Sequence, residues 1–295
     1  MLLWRRSSSG LAMPPDPGTP WRVMFLGQGP LAEVAYARLL DLPEEAGLRV
    51  PVACSNPDGQ GTWWGTAQIR ELAGRHGVRF ISNARRNDSL LARAAAESSI
   101  NCLISVGHPW VLPEQLLRSI HGRAAFNLHN GPLPRFGGFN AASHALLEGA
   151  ARFGPTLHWM EPVPDAGSIA FQETFEIPWD ATARSLHDLT FQAGQRLFAC
   201  LVGHLVERRL PPRIPMTGPP AIYPRRALSE HREIPGTAHD VEVDRKSRAF
   251  WFPPFEPAFY RRNGKKYYVV PASAMSDIAA AHWTAGRAFS CGTTT

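Results

Sequence analysis

Short apolar runs alternate with helix-forming stretches through the first half of the chain, and this alternation limits the possible folds more than any other feature. The β-prone runs lie at residues 22–26, 48–53, 78–81, 100–106 and 124–129, and residues 32–40, 67–76 and 88–98 have helical composition. Strands interleaved with helices predict a mostly parallel sheet covered by helices on both faces, a Rossmann-like α/β architecture. Ligands of such sheets bind beyond the carboxyl ends of the strands. The loops 106–113 and 128–138 leave from those ends and are candidate walls of a site.

Further along, residues 140–148 read as a short helix and residues 156–160 and 169–177 as strands, with 162–167 the loop between them. Asp180 is placed to cap a helix over 181–208. Its Leu186, Leu189, Ala193, Leu197, Cys200, Leu201 and Leu205 recur at helical spacing and predict a packing stripe. Six prolines between 211 and 224 mark a linker. Residues 240–252 and 258–270 then read as strands, with Asn263-Gly264 in a hairpin position. The expected organisation is a disordered tail over 1–20, a catalytic domain over 21–209, a Pro-rich linker over 210–224, a small β-rich module over 225–275 and a tail over 276–295.

With 44% hydrophobic residues among 295, the chain can bury a core. It has no apolar stretch long enough to predict a membrane span. Arg5-Arg6 is not followed by an apolar segment of the kind export signals carry, and Met13 is an alternative start. Cys54, Cys102, Cys200 and Cys291 are scattered without CxxC spacing, which fits a reducing cytoplasm better than a disulfide framework. The net charge of +6 comes from small groups such as Arg85-Arg86, Arg225-Arg226 and Lys265-Lys266. They read either as solvated surface or as attraction for an anionic partner. No nucleic-acid motif accompanies them, which disfavours RNA.

Gly27-Gln28-Gly29-Pro30 sits between a strand and a helix, as a dinucleotide-binding turn would. The second strand, however, ends in Ala53-Cys54-Ser55-Asn56 and offers no acidic residue for a ribose. A structural turn is the better reading. Asn127 and His129 are more informative. Two residues apart on a strand end, they point to the same side of the sheet. An amide that donates to a developing oxyanion beside an imidazole that takes a proton is a set suited to acyl transfer. Asp165, in a Pro-bounded loop ending in Ala166-Gly167, either forms a turn or holds the His129 tautomer and stabilises its imidazolium. No metal-ligand spacing is present.

The order strand–Asn127-x-His129, Leu133-Pro134-x-x-x-Gly138, Gly154-x-Thr156-x-His158, Asp165-x-Gly167-x-Ile169 resembles the formyltransferases that use N10-formyltetrahydrofolate. The resemblance covers roughly residues 22–200. It implies Asn127, His129 and Asp165 as the catalytic set, without a metal. It also implies folate contacts from Gly107, His108, Pro109, Trp110 and Leu112 and from Glu161 and Val163. For His108 and Trp110, ordinary loop packing is the competing reading. The chain departs from the family at Gly131, where a Ser is common, so contacts of that loop are in question. The C-terminal stretch from Ser247 to Tyr267 looks like the small module of sugar-nucleotide N-formyltransferases and of enzymes that formylate amino acids or peptide-synthesis intermediates. Trp251, Phe252, Phe255 and Phe259 there form either a substrate-stacking surface or the contact with the catalytic domain. The implied acceptor is a small-molecule amine, nucleotide-linked or carrier-bound, and the aromatic module suits a homodimer contact. Four alternatives are a methionyl-tRNA formyltransferase, a formyltetrahydrofolate hydrolase, a folate-binding module without catalysis, and a nicotinamide-dependent oxidoreductase built on the Gly27 turn. The hydrolase reading is disfavoured by the short stretch before the first strand, the inactive module by the intact catalytic set.

Overall fold

The computed structural model of the chain describes residues 12–56, 68–83, 86–120, 124–275 and 278. The expectations placed on Arg5-Arg6, Ala67, Arg85, Cys291 and most of the 276–295 tail lie outside these residues. The elements follow in order: β1 (Trp21–Gly27), α1 (Pro30–Leu40), β2 (Leu48–Ser55), α2 (Gln68–Arg75), β3 (Arg79–Ser82), α3 (Asp88–Glu97), β4 (Cys102–Val106), α4 (Glu114–Ser119) and β5 (Ala124–His129). Next come β6 (Gly137–Gly138), α5 (Ala141–Leu147), β7 (Arg152–Phe153), β8 (Thr156–Trp159), β9 (Ile169–Gln172), β10 (Phe175–Glu176) and α6 (Ala183–Val206). The last are β11 (Ile222–Tyr223), α7 (Asp240–Ala249), β12 (Ala258–Arg262) and β13 (Lys265–Val269).

Seven strands form one sheet in the order β3-β2-β1-β4-β5-β8-β9. β1 to β5 run parallel, and β8 and β9 add an antiparallel edge. The fold is therefore the expected mostly parallel α/β sheet. Alternation along β1 divides the core. Val23 and Phe25 face α1, α2 and α6, while Met24 and Leu26 face α3 and α4. Both faces are buried, so these strands read as continuous apolar runs. The chain order reverses between β1 and β4, and a crevice opens at their carboxyl ends, as doubly wound sheets require.

Several expectations need correction. Residues 240–252 are not a strand, because α7 occupies Asp240–Ala249. Acidic Asp240 and Glu242 sit in its first turn and Lys246 and Arg248 in its last, complementing the helix dipole. Glu242–Lys246 at 3.2 Å and Asp244–Arg248 at 2.8 Å are i,i+4 ion pairs. Asp180 does not cap α6. Thr182 does, accepting from the Ser185 amide at 3.1 Å while the Ser185 hydroxyl accepts from the Thr182 amide at 2.9 Å. The span 169–177 is two strands, since the chain leaves the main sheet after Gln172 and β10 pairs with β7. Residues 12–20 are docked, with the Arg208 guanidinium donating to the carbonyls of Pro15, Asp16 and Thr19.

The Pro-rich stretch also lies against the body of the protein. Ile214 bridges to Ile169, and β11 pairs in parallel with β6. Beyond it, β12 and β13 form the expected hairpin, with Asn263 at φ 50° and Gly264 at φ 74° in the turn. One apolar cluster joins Phe136, Ala141 and Leu186 to Ile234, Phe250 and Ala258, so the C-terminal segment packs on the sheet domain. Trp251 and Phe259 are buried, whereas Phe255 is 54% exposed.

Candidate active site

β5 delivers Asn127 and His129 to one face of the sheet, the face that carries Ala125 into the α3–α4 core. β8 runs antiparallel beside it and sets His158 directly opposite Asn127. The loop between β8 and β9 returns Asp165 to the same place. Its φ of 52° is a left-handed conformation that Asp tolerates better than most residues. The structure thus brings Asn127, His129 and Asp165 together and adds His158.

The hydrogen bonds assign roles to the ring nitrogens. His129 Nε2 lies 2.7 Å from the Phe136 carbonyl, which can only accept, so Nε2 carries the proton. Nδ1 then presents its lone pair 3.7 Å from Asp165 Oδ2. That separation is too long for a hydrogen bond. The Phe136 carbonyl, not Asp165, fixes the neutral tautomer, and Asp165 acts on the ring through its charge. Burial lowers the His129 pKa below its ordinary 6.5; Asp165 and the Phe136 carbonyl oppose this, and His158 adds to the lowering. His129 is therefore a neutral imidazole with an open Nδ1 at neutral pH.

His158 Nδ1 donates to the Trp159 carbonyl at 2.8 Å. Its Nε2 then accepts from the Asn127 amide nitrogen at 3.1 Å. The second amide hydrogen of Asn127 remains for another acceptor. Asp165 Oδ1 lies 3.4 Å from His158 Nε2. Asp165 Oδ2 accepts from the Gly138 amide at 2.8 Å. Burial alone would raise the Asp165 pKa, but the His158 interaction, the attraction of His129 and the Gly138 amide outweigh it and hold it well below the usual carboxylate range.

Glycine is obligatory around this cluster. A Cβ on Gly131 would lie 2.7 Å from the Phe136 carbonyl oxygen and 2.9 Å from His129 Nε2, inside the tautomer-fixing bond itself. The departure at Gly131 is thus matched to the course of this loop. Gly27 is accounted for by packing, because a Cβ there would meet the Val106 carbonyl at 2.7 Å and Ala32 at 2.8 Å.

The four side chains line a cavity of about 350 Å³. Gly107, His108, Pro109, Trp110, Leu112 and Glu161 also line it, whereas Val163 is 48% exposed and does not. The Trp110 indole N–H donates to the Asn83 carbonyl at 2.9 Å and so fixes the loop. Both His108 ring nitrogens are buried without a partner among the described residues, and burial pushes its pKa down to about 4, partly offset by Asp88. A second cavity of about 440 Å³ adjoins the first and shares Gln28, Gly107, Asn130, Asn140, Ala141 and Arg225 with it. Among the described residues, no group of three His, Cys, Asp or Glu side chains is placed to hold a metal ion, and no helix is long and apolar enough to cross a membrane.

Sequence reasoning missed His158 as a site residue, although the Gly154-x-Thr156-x-His158 pattern and the antiparallel edge strand point to it. It also missed Gln28, Ser105, Asn130, Asn140 and Arg225. Gln28 and Ser105 flank the strand switch point and were accessible from topology. Arg225 is brought in by β11, which carries no readable signal.

The Formyl transferase family matches residues 55–201. A methionyl-tRNA formyltransferase of Gluconobacter oxydans is 27% identical over 278 residues, which covers 92% of this chain and 88% of the relative. A GDP-perosamine N-formyltransferase of Brucella melitensis is 26% identical over 249 residues, covering 84% and 92%. Among solved structures, a 4-N formyltransferase from Francisella tularensis superposes with a TM-score of 0.69 at 14% identity, over 85% of this chain and 97% of that one. The last likeness concerns the fold alone; residues 55–201 carry a formyl transferase domain, and the chain is similar to these two relatives over most of its length.

Proposed function

We propose that the protein transfers a formyl group from N10-formyltetrahydrofolate to the amine of a small-molecule acceptor, an amino sugar nucleotide or an amino-acid or peptide intermediate. The observation that carries this is the convergence of Asn127, His129, His158 and Asp165 at one end of the cavity walled by residues 107–112. Structural relatives include an N-formyltransferase from Helicobacter canadensis described in complex with folinic acid and dTDP-3-aminofucose.

The formyl carbon of the donor is attacked by a neutral amine. The free amide hydrogen of Asn127 is donated to the formyl oxygen as it becomes an oxyanion. His129 Nδ1 accepts the proton the amine loses, directly or through water. Asp165 stabilises the resulting imidazolium by charge, and the Phe136 carbonyl keeps the ring in place. His158 holds the Asn127 amide in position. Collapse of the tetrahedral intermediate breaks the bond to the folate nitrogen, which takes a proton and leaves as tetrahydrofolate.

Thermal stabilisation by 5-formyltetrahydrofolate, with NAD and NADP in parallel, tests the donor. A shift with the folate supports the reading, and a shift with a dinucleotide alone overturns it. The acceptor is then read by product mass. The similarity to methionyl-tRNA formyltransferases supports one further arm with aminoacylated initiator tRNA.

A further inference from the structure

The second cavity has a chemical polarity that the catalytic cluster does not explain. Phe250, Phe252 and Phe255 form one wall, and Arg225 and Arg232 supply positive charge. Arg232 is neutralised by Glu256 at 2.9 Å. Arg225 has no carboxylate partner among the described residues. Its guanidinium carbon instead lies 4.3 Å over the Phe139 ring. Stacking on an aromatic face orients a guanidinium while leaving its edge N–H groups free. Its backbone is equally fixed. β11 ends two residues earlier, and the Ala227 amide closes a turn onto the Pro224 carbonyl at 3.0 Å. Arg225 lines both cavities, and Asp165 lies in the wall of the first. A molecule that spans the two cavities therefore meets Asp165 in the first and an oriented cation, Arg225, where they adjoin.

We propose that Arg225 anchors an oxyanion of the acceptor, a phosphoryl or carboxylate group, at the mouth of the aromatic second cavity, so that the amine at the opposite end reaches the catalytic cluster. The inference rests on the formyl-transfer reading for the meaning of the word acceptor. The anion site itself does not depend on it. Bidentate recognition of phosphate and carboxylate is what a planar, pre-oriented guanidinium does best. The phenylalanine wall suits a flat or apolar group attached to that anion.

The test is equilibrium binding by calorimetry to wild type, R225Q, R225K and R226Q. Arg226 is the exposed neighbour that lines neither cavity. The probes are nucleoside diphosphates for a phosphoryl source and glutamate with ornithine for a carboxylate source. 5-Formyltetrahydrofolate is titrated separately. The expected result is that one probe class binds wild type and R226Q alike, and loses on the order of tenfold or more in R225Q, with part of the loss recovered in R225K. Donor stabilisation should be the same in wild type and R226Q. Equal probe affinity in wild type and R225Q overturns the assignment, as does the absence of binding by either class to wild type. Failure of the folate to bind, with Arg225-dependent anion binding intact, refutes the donor reading and leaves the anion site standing.

Discussion

Replacing Gly138 with alanine tests whether the Pro-rich stretch supports the Asp165 carboxylate. Gly138 has φ 81°, and an added Cβ would lie 2.3 Å from the Tyr223 carbonyl oxygen. Left-handed alanine costs about 1–2 kcal/mol. The Tyr223 carbonyl must also retreat. That strains the bond it accepts from the Phe139 amide at 2.9 Å and the neighbouring Gly137-to-Ala221 bond at 2.8 Å. Each contributes about 1 kcal/mol. The sum of roughly 3–4 kcal/mol predicts a melting temperature lower by on the order of 10 °C. The Gly138 amide also holds Asp165 Oδ2, and a bond to a charged acceptor is worth about 1.5–3 kcal/mol. Turnover of the folded variant should therefore fall about tenfold or more. Differential scanning fluorimetry reads the first effect and single-turnover formyl transfer the second. If Gly138 acts through Asp165, then G138A/D165N is no slower than D165N alone. A melting temperature within about 2 °C of wild type, or fully additive losses in rate, would refute the reasoning.

Other outcomes follow from the same geometry. Asn127→Ala should lower kcat by about 10²–10³ and leave folate affinity unchanged; equal loss in both would place Asn127 in binding. Because His129 must be neutral and its pKa is depressed, kcat/KM corrected for the neutral fraction of the acceptor amine should hold down through pH 6.5 and fall only below it, as a pH–rate profile would show. His108 is buried and neutral in the fold, with a pKa near 4 against 6.5 when unfolded, so the unfolded state binds the extra proton between those values. Stability is complete above pH 6.5 and declines by about 3 kcal/mol on acidification to pH 4, a slope that urea melts should find flattened in H108Q. Thr182→Ala removes the cap of α6 and should cost about 1 kcal/mol in the same melts.

The parallel sheet was legible because its strands are buried on both faces and the helices between them are bounded by turn residues. Where an element was marginal, sequence failed for local reasons. In the 240s, Val241 and Val243 imitate strand alternation, yet the charges at i,i+4 spacing decide for a helix. Asp180 and Thr182 are both competent caps, and the hydroxyl of Ser185 selects the second. At the site, Asn127, His129 and Asp165 could be placed from their motifs. The group that orients His129 could not, because it is a main-chain carbonyl at Phe136 and backbone atoms leave no mark in composition. The β6–β11 ladder is two residues long and contains no periodicity, so nothing in the sequence announced that Arg225 reaches the cavities.

That short ladder also bears on when the enzyme becomes competent during synthesis. A ribosome that has released the chain through Arg209 has delivered all seven strands of the main sheet, α6 and the four polar residues of the site. The segment that flanks Gly138 has not yet emerged. The sheet-borne part of the site can therefore form early, while the backing of Asp165 and the arrival of Arg225 come together in a later step. Nascent chains would then lay down the wall of residues 107–112 and the polar cluster before they gain Arg225, so that the junction between the two cavities is the last part of the site to be completed.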